Sequence, residues 1–179
     1  MKLFVLSCLL FFSIGINGAR ANEHDPEVIR KQLLTALKSS KTTDSLYNAL
    51  DATKHKNALI TGYMATLQAL KAIHAWNPIS KLKYLNASEK TYAEAVAADP
   101  HNIEIRFMRF SVEHNVPGFL GYHKNLENDR KTIIEQIKKK NYKEEDTDLI
   151  RTAVKFLIDS KRCTTAENEY LHKQLAALK

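Results

Sequence analysis

The joint at Asp99-Pro100 constrains this chain most, because an alanine-rich segment ends there and a second helical segment begins. Pro100 lacks a backbone N–H and drives the residue before it out of the α region, so a helix has to end at this point. Asn102 can cap the next helix by accepting a hydrogen bond from one of its free backbone N–H groups. The joint therefore predicts two consecutive antiparallel helices connected by a very short turn.

The other prolines also lie at the boundaries of periodic segments and never within an apolar stripe: Pro26, Pro78 and Pro117. Glycine is scarce after the first 21 residues, and only three remain: Gly62, Gly118 and Gly121. Because β-rich folds need many more turn residues, this scarcity favours helices.

Apolar residues at spacings of three and four predict about eight helices, over 26–39, 44–53, 56–76, 79–98, 102–115, 122–140, 144–161 and from about 164 to the C-terminus. Leu37, Ile73 and Leu82 are among the residues that this spacing places on inward faces. Thr164 and Glu167 have the pattern of a capping box at the start of the last helix. No linker divides the segments, so residues 22–179 are predicted to be one all-α domain of antiparallel helical hairpins.

Residues 1–21 have the pattern of a secretory signal peptide. An uncharged apolar run over 3–16 is followed by Ala19-Arg20-Ala21, the small-x-small sequence at which such peptides are cleaved. The run is shorter than the roughly 20 residues that a membrane-spanning helix needs. We therefore expect an exported protein, periplasmic or secreted, that begins near Asn22 and has no integral membrane span after cleavage. Lipid attachment at Cys8 is the less favoured alternative, because this cysteine precedes most of the apolar run.

The charge and the cysteine content limit the classes of partner and of fold. Loss of Lys2 and Arg20 with the signal peptide lowers the formal net charge from +7 to +5. An exported chain meets little nucleic acid, so this basic surface suits acidic ligands, anionic surfaces or plain solvation. Cys163 is then the only cysteine. An internal disulfide is excluded, and a lone cysteine is more often a small buried hydrophobe than a bridge between chains.

The helix before the joint resembles the second helix of a tetratricopeptide repeat. Counted back from the proline, Ala95, Tyr92 and Ser88 lie where that family places a small residue, an aromatic residue and another small residue. The following helix departs from the pattern, because Arg106 and Arg109 take the positions of large apolar residues. The resemblance implies a degenerate αα-repeat, a class of proteins that bind partners far more often than they catalyse.

The segment over 102–122 resembles an uncharacterised family of exported helical proteins from Bacteroidota. The residues that carry the resemblance are Asn-Ile-Glu-Ile-Arg-Phe-Met-Arg-Phe-Ser-Val-Glu-His-Asn-Val-Pro-Gly-Phe-Leu-Gly-Tyr. It implies a lineage and a helical fold, and it assigns no functional residue.

The helix over 102–115 is apolar around more than half of its circumference, which predicts a central position in the domain. Its remaining strip, which this count predicts to face solvent, carries Asn102, Arg106, Arg109 and Glu113. The repeat register instead points the strip toward the neighbouring helix. Two exposed arginines side by side can bind a carboxylate or a phosphate, and Arg109 can pair with Glu113 four residues later.

This strip predicts a non-enzymatic scaffold of the cell envelope that binds a protein or an acidic peptide. The predicted site residues are Arg106, Arg109, Glu113, Asn115 and His123.

Two alternatives remain open. The first is a small-molecule binder or an enzyme with a pocket formed by Glu104, His114 and His123 near the glycine-containing loop over 116–122. Glu104 lies within the apolar arc, so it has to be paired, neutralised or stabilised by the helix start. The second alternative is a structural component of the envelope. The sequence contains no metal-ligand spacing, phosphate-binding glycine loop or nucleophile motif, so no cofactor or metal is predicted.

Overall fold

The computed structural model describes residues 25–178, so the predicted signal peptide and its cleavage site lie outside the described residues. Within that range the chain forms eight α-helices and two 3₁₀ turns, with no β-strand. The helices are α1 (Pro26–Ala36), α2 (Ser40–Asp51), α3 (Ala58–His74), α4 (Pro78–Ala98), α5 (Ile103–Asn115), α6 (Leu126–Lys138), α7 (Thr147–Asp159) and α8 (Thr165–Ala177). The 3₁₀ turns are Gly118–Leu120 and Glu144–Asp146. The predicted all-α fold is confirmed, and the helix ends lie within a few residues of those expected.

Capping residues set most of the helix starts. Six of the eight helices follow a residue whose side chain accepts a hydrogen bond from the first turn: Asp25, Ser39, Asn57, Asn77, Asn102 and Thr164. At the joint between α4 and α5, Oδ1 of Asn102 accepts from the backbone N–H of Ile105 at 3.1 Å. Its Nδ2 donates to Oδ2 of Asp99 at 3.0 Å, so one side chain fixes both sides of the turn.

Two hydrophobic clusters form the core, and α5 contributes to both. The first cluster gathers apolar residues of α1, α2 and α3 with Tyr92 of α4 and Met108 of α5. The second joins Ile103 and Phe110 of α5 to apolar residues of α6, α7 and α8. The predicted central position of α5 is therefore confirmed.

The helix α3 is buried over most of its surface, because α2, α4 and α5 all pack against it. Gly62 permits the close approach of α5, since a Cβ atom there would lie 3.1 Å from Cε of Met108. Oγ of Ser88 donates to the carbonyl O of Ala65 at 2.8 Å and ties α4 to the same helix. Across residues 25–178, none of the helices combines the length and the apolar character needed to cross a membrane.

Three residues that the spacing placed on inward faces are exposed: Leu37, Ile73 and Leu82. Each lies near a helix end on the same side of the molecule. Leu37 follows the last residue of α1, Ile73 is in the last turn of α3, and Leu82 is near the start of α4. Periodicity identifies the inward face of a helix but not where its neighbours stop covering that face, so these three predictions are wrong.

The capping box of α8 provides a test of local control over helix starts. Oγ1 of Thr164 accepts from the backbone N–H of Glu167, whose carboxylate accepts from the backbone N–H of Thr164 at 2.7 Å. We expect Thr164→Ala to lower the free energy of unfolding by about 1 kcal/mol in urea denaturation. The neighbouring exposed Thr165 is the matched control, and Thr165→Ala should change this value by less than about 0.5 kcal/mol. Equal effects of the two changes would contradict a role for the cap.

Candidate functional site

The polar strip of α5 faces α6 and not the solvent. Arg106 and Arg109 are only 7 % and 6 % exposed, and Asp129 of α6 is 0 % exposed. Nη1 of Arg106 donates to Oδ1 of Asp129 at 2.8 Å. Nε and Nη2 of Arg109 donate to the two oxygens of Asp129 at 2.7 Å and 2.6 Å. The predicted solvent-facing basic strip is therefore wrong, and the repeat register indicated the correct direction.

Glu113 also points into the interface between α5 and α6. Its carboxylate accepts from the backbone N–H of Asn125 at 2.8 Å and from Nδ2 of the same residue at 2.6 Å. Asn125 immediately precedes α6, so Glu113 stabilises the start of that helix. Burial raises the pKa of the Glu113 carboxyl above its ordinary value. The ion pair expected between Arg109 and Glu113 does not form, because each of the two side chains is held by a residue from outside α5.

The other two predicted site residues make local hydrogen bonds, one in the last turn of α5 and one in the loop after it. Nδ2 of Asn115 donates to the carbonyl O of Ser111 at 2.8 Å, which satisfies an acceptor in the last turn of α5. Nε2 of His123 lies 2.8 Å from the carbonyl O of Val116. The five residues predicted as a partner site are thus divided between a buried interface, the last turn of α5 and the loop after it. The structure does not join them into one open surface.

The pocket expected from Glu104, His114 and His123 does not form either. Glu104 is in the first turn of α5 and His114 is in the last, about 15 Å away along the axis of an α-helix. The ring of His114 packs against Phe110 and Phe156, and its Nδ1 accepts from Nε of Arg162 at 2.9 Å. Burial lowers the pKa of His114. Its partly buried ring is engaged by these neighbours, so the three residues share no pocket.

An open cleft of about 950 Å³ lies instead at the N-terminal end of α5. The start of α1, the start of α3, the joint between α4 and α5 and the loop between α6 and α7 form its walls. Six of its lining residues carry a carboxylate: Asp25, Glu27, Asp99, Glu104, Glu145 and Asp146. One arginine and one lysine line it as well: Arg30 and Lys143. The cleft is therefore acidic in a chain whose formal net charge is +7.

A hydrogen-bonded network centred on Glu104 ties the cleft to the rest of the fold. Nε and Nη2 of Arg30 donate to the two oxygens of Glu104 at 2.8 Å and 2.7 Å. Nη2 of Arg30 also donates to Oδ1 of Asp146 at 2.7 Å. The hydroxyl of Tyr63 donates to Oε1 of Glu104 at 2.7 Å. Glu104 is thus a paired carboxylate that joins α5 to α1 and α3.

The charges in this network fix the protonation of its donors. Burial, and then the charge of Glu104, raise the pKa of the Tyr63 hydroxyl, so the phenol stays protonated and keeps donating. The hydrogen bond that Arg30 donates to Glu104 raises the pKa of the guanidinium. One arginine faces two carboxylates, so the cleft keeps an excess of negative charge.

The acidic cleft was missed in the sequence because its carboxylates come from three separate segments. Two of them have a local explanation: Asp25 caps α1, and Asp99 accepts from Asn102. Only the unusual position of Glu104 within an apolar arc indicated a site in this region. Among residues 25–178, no group of three His, Cys, Asp or Glu side chains is placed to hold a metal ion.

Comparison with known proteins finds no relative of this chain. No protein-family model, curated protein or solved structure matches this chain. The resemblances to a tetratricopeptide helix and to the exported Bacteroidota family therefore rest on their residues alone and stay predictions.

The buried cluster of charges between α5 and α6 predicts a large loss of stability when Asp129 is removed. Asp129→Ala should lower the free energy of unfolding by about 3–5 kcal/mol in urea denaturation, because two buried guanidinium groups lose their counter-charge. Glu127→Ala is the matched control on the exposed face of α6, where Glu127 pairs with Lys131. This control should leave the unfolding midpoint nearly unchanged. Similar midpoints for both variants would contradict the role of the cluster.

The lone thiol of the predicted mature chain should react slowly. Burial raises the pKa of Cys163 to about 11, and its Sγ lies 3.5 Å from the carbonyl O of Leu157. In the chain from Asn22 onward, we expect alkylation by iodoacetamide at pH 8 to be roughly a hundredfold slower in the folded state than in urea, because the thiolate fraction falls by about that factor. The folded-state rate should keep rising with pH above 8. Equal rates in the two states would contradict the shift.

Proposed function

We propose that this chain is an exported, non-enzymatic helical-repeat protein of the cell envelope that binds a protein or peptide partner in the acidic cleft. The observation that carries the proposal is the cleft itself, an open space of about 950 Å³ with walls from four parts of the chain. Clefts of this size accept a peptide segment or a small molecule with most of its surface covered.

The charge of the cleft favours a cationic partner. Six carboxylates line it against one arginine and one lysine, so it attracts lysine or arginine side chains of an extended segment. The acidic peptide predicted from the sequence required Arg106 and Arg109 to be free. Both are occupied by Asp129, so we assign the partner the opposite charge.

The hydrogen bonds within the cleft support binding over catalysis. Glu104 accepts from Arg30 and from Tyr63, so its oxygens already have donors and it is poorly placed to remove a proton from a substrate. Asp146 is held by the same arginine. These bonds hold the wall of the cleft in place, and a fixed wall lowers the entropy lost on binding.

A charge reversal at the rim of the cleft tests the proposal. Glu27 and Glu145 line the cleft with strongly exposed side chains, and each pairs only with an exposed lysine. We expect Glu27→Lys with Glu145→Lys to weaken the binding of a fluorescent Lys- and Arg-rich peptide at least tenfold in anisotropy titrations. Glu127→Lys with Glu135→Lys makes the same charge change on the exposed face of α6 and should retain binding. Preference of the unmodified chain for an acidic peptide of equal length, or binding of neither, would refute the cationic partner.

Photo-crosslinking in the native envelope provides the second test. Lys143 lines the cleft and Lys131 lies on the exposed face of α6, and both side chains are strongly exposed. A photo-reactive amino acid at position 143 should capture a defined partner band that position 131 does not capture. Identical crosslinking profiles from both positions would mean that the partner does not contact the cleft. They would favour the alternative of a structural component of the envelope.

A further inference from the structure

The end of the molecule opposite the cleft exposes several large apolar side chains. Asp25, Ala58 and Ala98 line the cleft, so α1 and α3 end, and α4 begins, at the opposite end. Trp76, in the turn between α3 and α4, is 97 % exposed, and Ile79 in the first turn of α4 is 81 % exposed. We call this surface the apolar end, and it comprises Leu34, Leu37, Ile73, Trp76 and Ile79.

A hydrogen bond brings the two parts of the apolar end together. A ring nitrogen of His74, Nε2, lies 2.9 Å from the carbonyl O of Ala36. Leu37 follows Ala36 and Ile73 precedes His74, so an exposed apolar residue adjoins each partner of this hydrogen bond along the chain. Single apolar residues are ordinary on a protein surface, whereas a group of exposed apolar residues at one end indicates contact with a membrane or with another protein.

Unpaired positive charge surrounds the apolar end. Four exposed lysines flank it in sequence, and none of them pairs with a carboxylate in the described part of the chain: Lys38, Lys41, Lys81 and Lys83. The segments 34–43 and 71–83, which contain the apolar end and its four lysines, have no Asp or Glu. The nearby Asp44 is held by Lys71 at 2.9 Å. The apolar end therefore carries unneutralised positive charge, in contrast to the acidic cleft at the other end.

We propose that the apolar end docks the protein reversibly on an anionic lipid bilayer. Tryptophan is favoured at the level of the lipid headgroups, because its ring is apolar while its indole N–H still finds a hydrogen-bond partner there. Ile79 and Leu37 enter the boundary of the acyl chains beside it, as the apolar residues of interfacial helices do. The four lysines lie on the anionic headgroups, and each strengthens binding by about fivefold.

The charges favour a lipid surface over a second copy of this chain. Two copies joined by their apolar ends would bring their unpaired lysines together without any free carboxylate between them. Like charges at an interface oppose association, whereas anionic headgroups supply the missing counter-charge.

The chain carries its own reporter for the test, because Trp76 is its only tryptophan. The experiment uses the chain from Asn22 onward, since the apolar residues before it would bind lipid themselves. This chain contains all described helices and both hydrophobic clusters, and circular dichroism verifies its folding. With vesicles of phosphatidylcholine and phosphatidylglycerol, we expect flotation with the vesicles and a shift of Trp76 emission to shorter wavelength. Vesicles of phosphatidylcholine alone should produce neither effect.

Paired variants test whether binding depends on the apolar end or on nonspecific adsorption and overall charge. Lys81→Ala with Lys83→Ala should weaken binding to the anionic vesicles roughly twenty-five-fold, at about fivefold for each lysine. Lys131→Ala with Lys139→Ala removes the same charge from the exposed face of α6 and should leave binding nearly unchanged. Ile79→Ser should abolish the emission shift.

A further pair tests the exposed aromatic residue itself by flotation. Trp76→Ser should abolish flotation with anionic vesicles, whereas Phe119→Ser, in an exposed 3₁₀ turn elsewhere, should not change it. The rim variant of the cleft, Glu27→Lys with Glu145→Lys, should still float, so failure of lipid docking and failure of peptide binding are distinguishable. Absence of flotation of the unmodified chain would overturn the proposal. An emission shift that grows with protein concentration without lipid would overturn it in favour of a second copy.

Discussion

Buried charges on α5 hold the two halves of this molecule together. Arg106 and Arg109 bind Asp129 of α6, while Glu104 binds Arg30 of α1 and a tyrosine of α3. Each of these carboxylates is surrounded by donors, which offsets the cost of removing charge from water. Because α5 also contributes apolar residues to both hydrophobic clusters, neither cluster is complete without it. The basic residues that looked available for a ligand are used to assemble the fold.

The helices could be predicted from the sequence because their boundaries depend on local signals. Asn102 caps α5 and the Thr164 capping box starts α8, and both patterns involve residues within three positions of each other. The direction of the α5 strip depends on Asp129, which is 20 residues from Arg109. In the sequence, Asp129 resembles an ordinary exposed acid of an amphipathic helix, because nothing near it in the chain identifies Arg109 as its partner. The resemblance to a tetratricopeptide helix indicated the direction of the strip, because a repeat pattern specifies which faces of consecutive helices contact each other.

The cleft and the apolar end could not be predicted because both depend on where separate segments meet. Apart from Glu104, the carboxylates of the cleft resemble ordinary cap or surface residues along the chain. Trp76 and Ile79 flank Asn77-Pro78, which the sequence indicated only as a helix boundary. Net charge is a sum over the chain, so it conceals an acidic site in a chain that is basic overall. The packing of α1, α3 and α4 places the acidic cleft and the lysines of the apolar end at opposite ends of these helices.

The length of α4 has a consequence for how these two surfaces work together. Its 21 residues correspond to about 30 Å of helix, from the turn at Trp76 to the joint beside the cleft. In the docked orientation that we propose, α4 rises from the lipid surface and holds the cleft several screening lengths above it, since the Debye length is about 8 Å at physiological salt. The field of the headgroups is largely screened at that height. A cationic ligand can therefore occupy the cleft without competing with the bilayer for its charge.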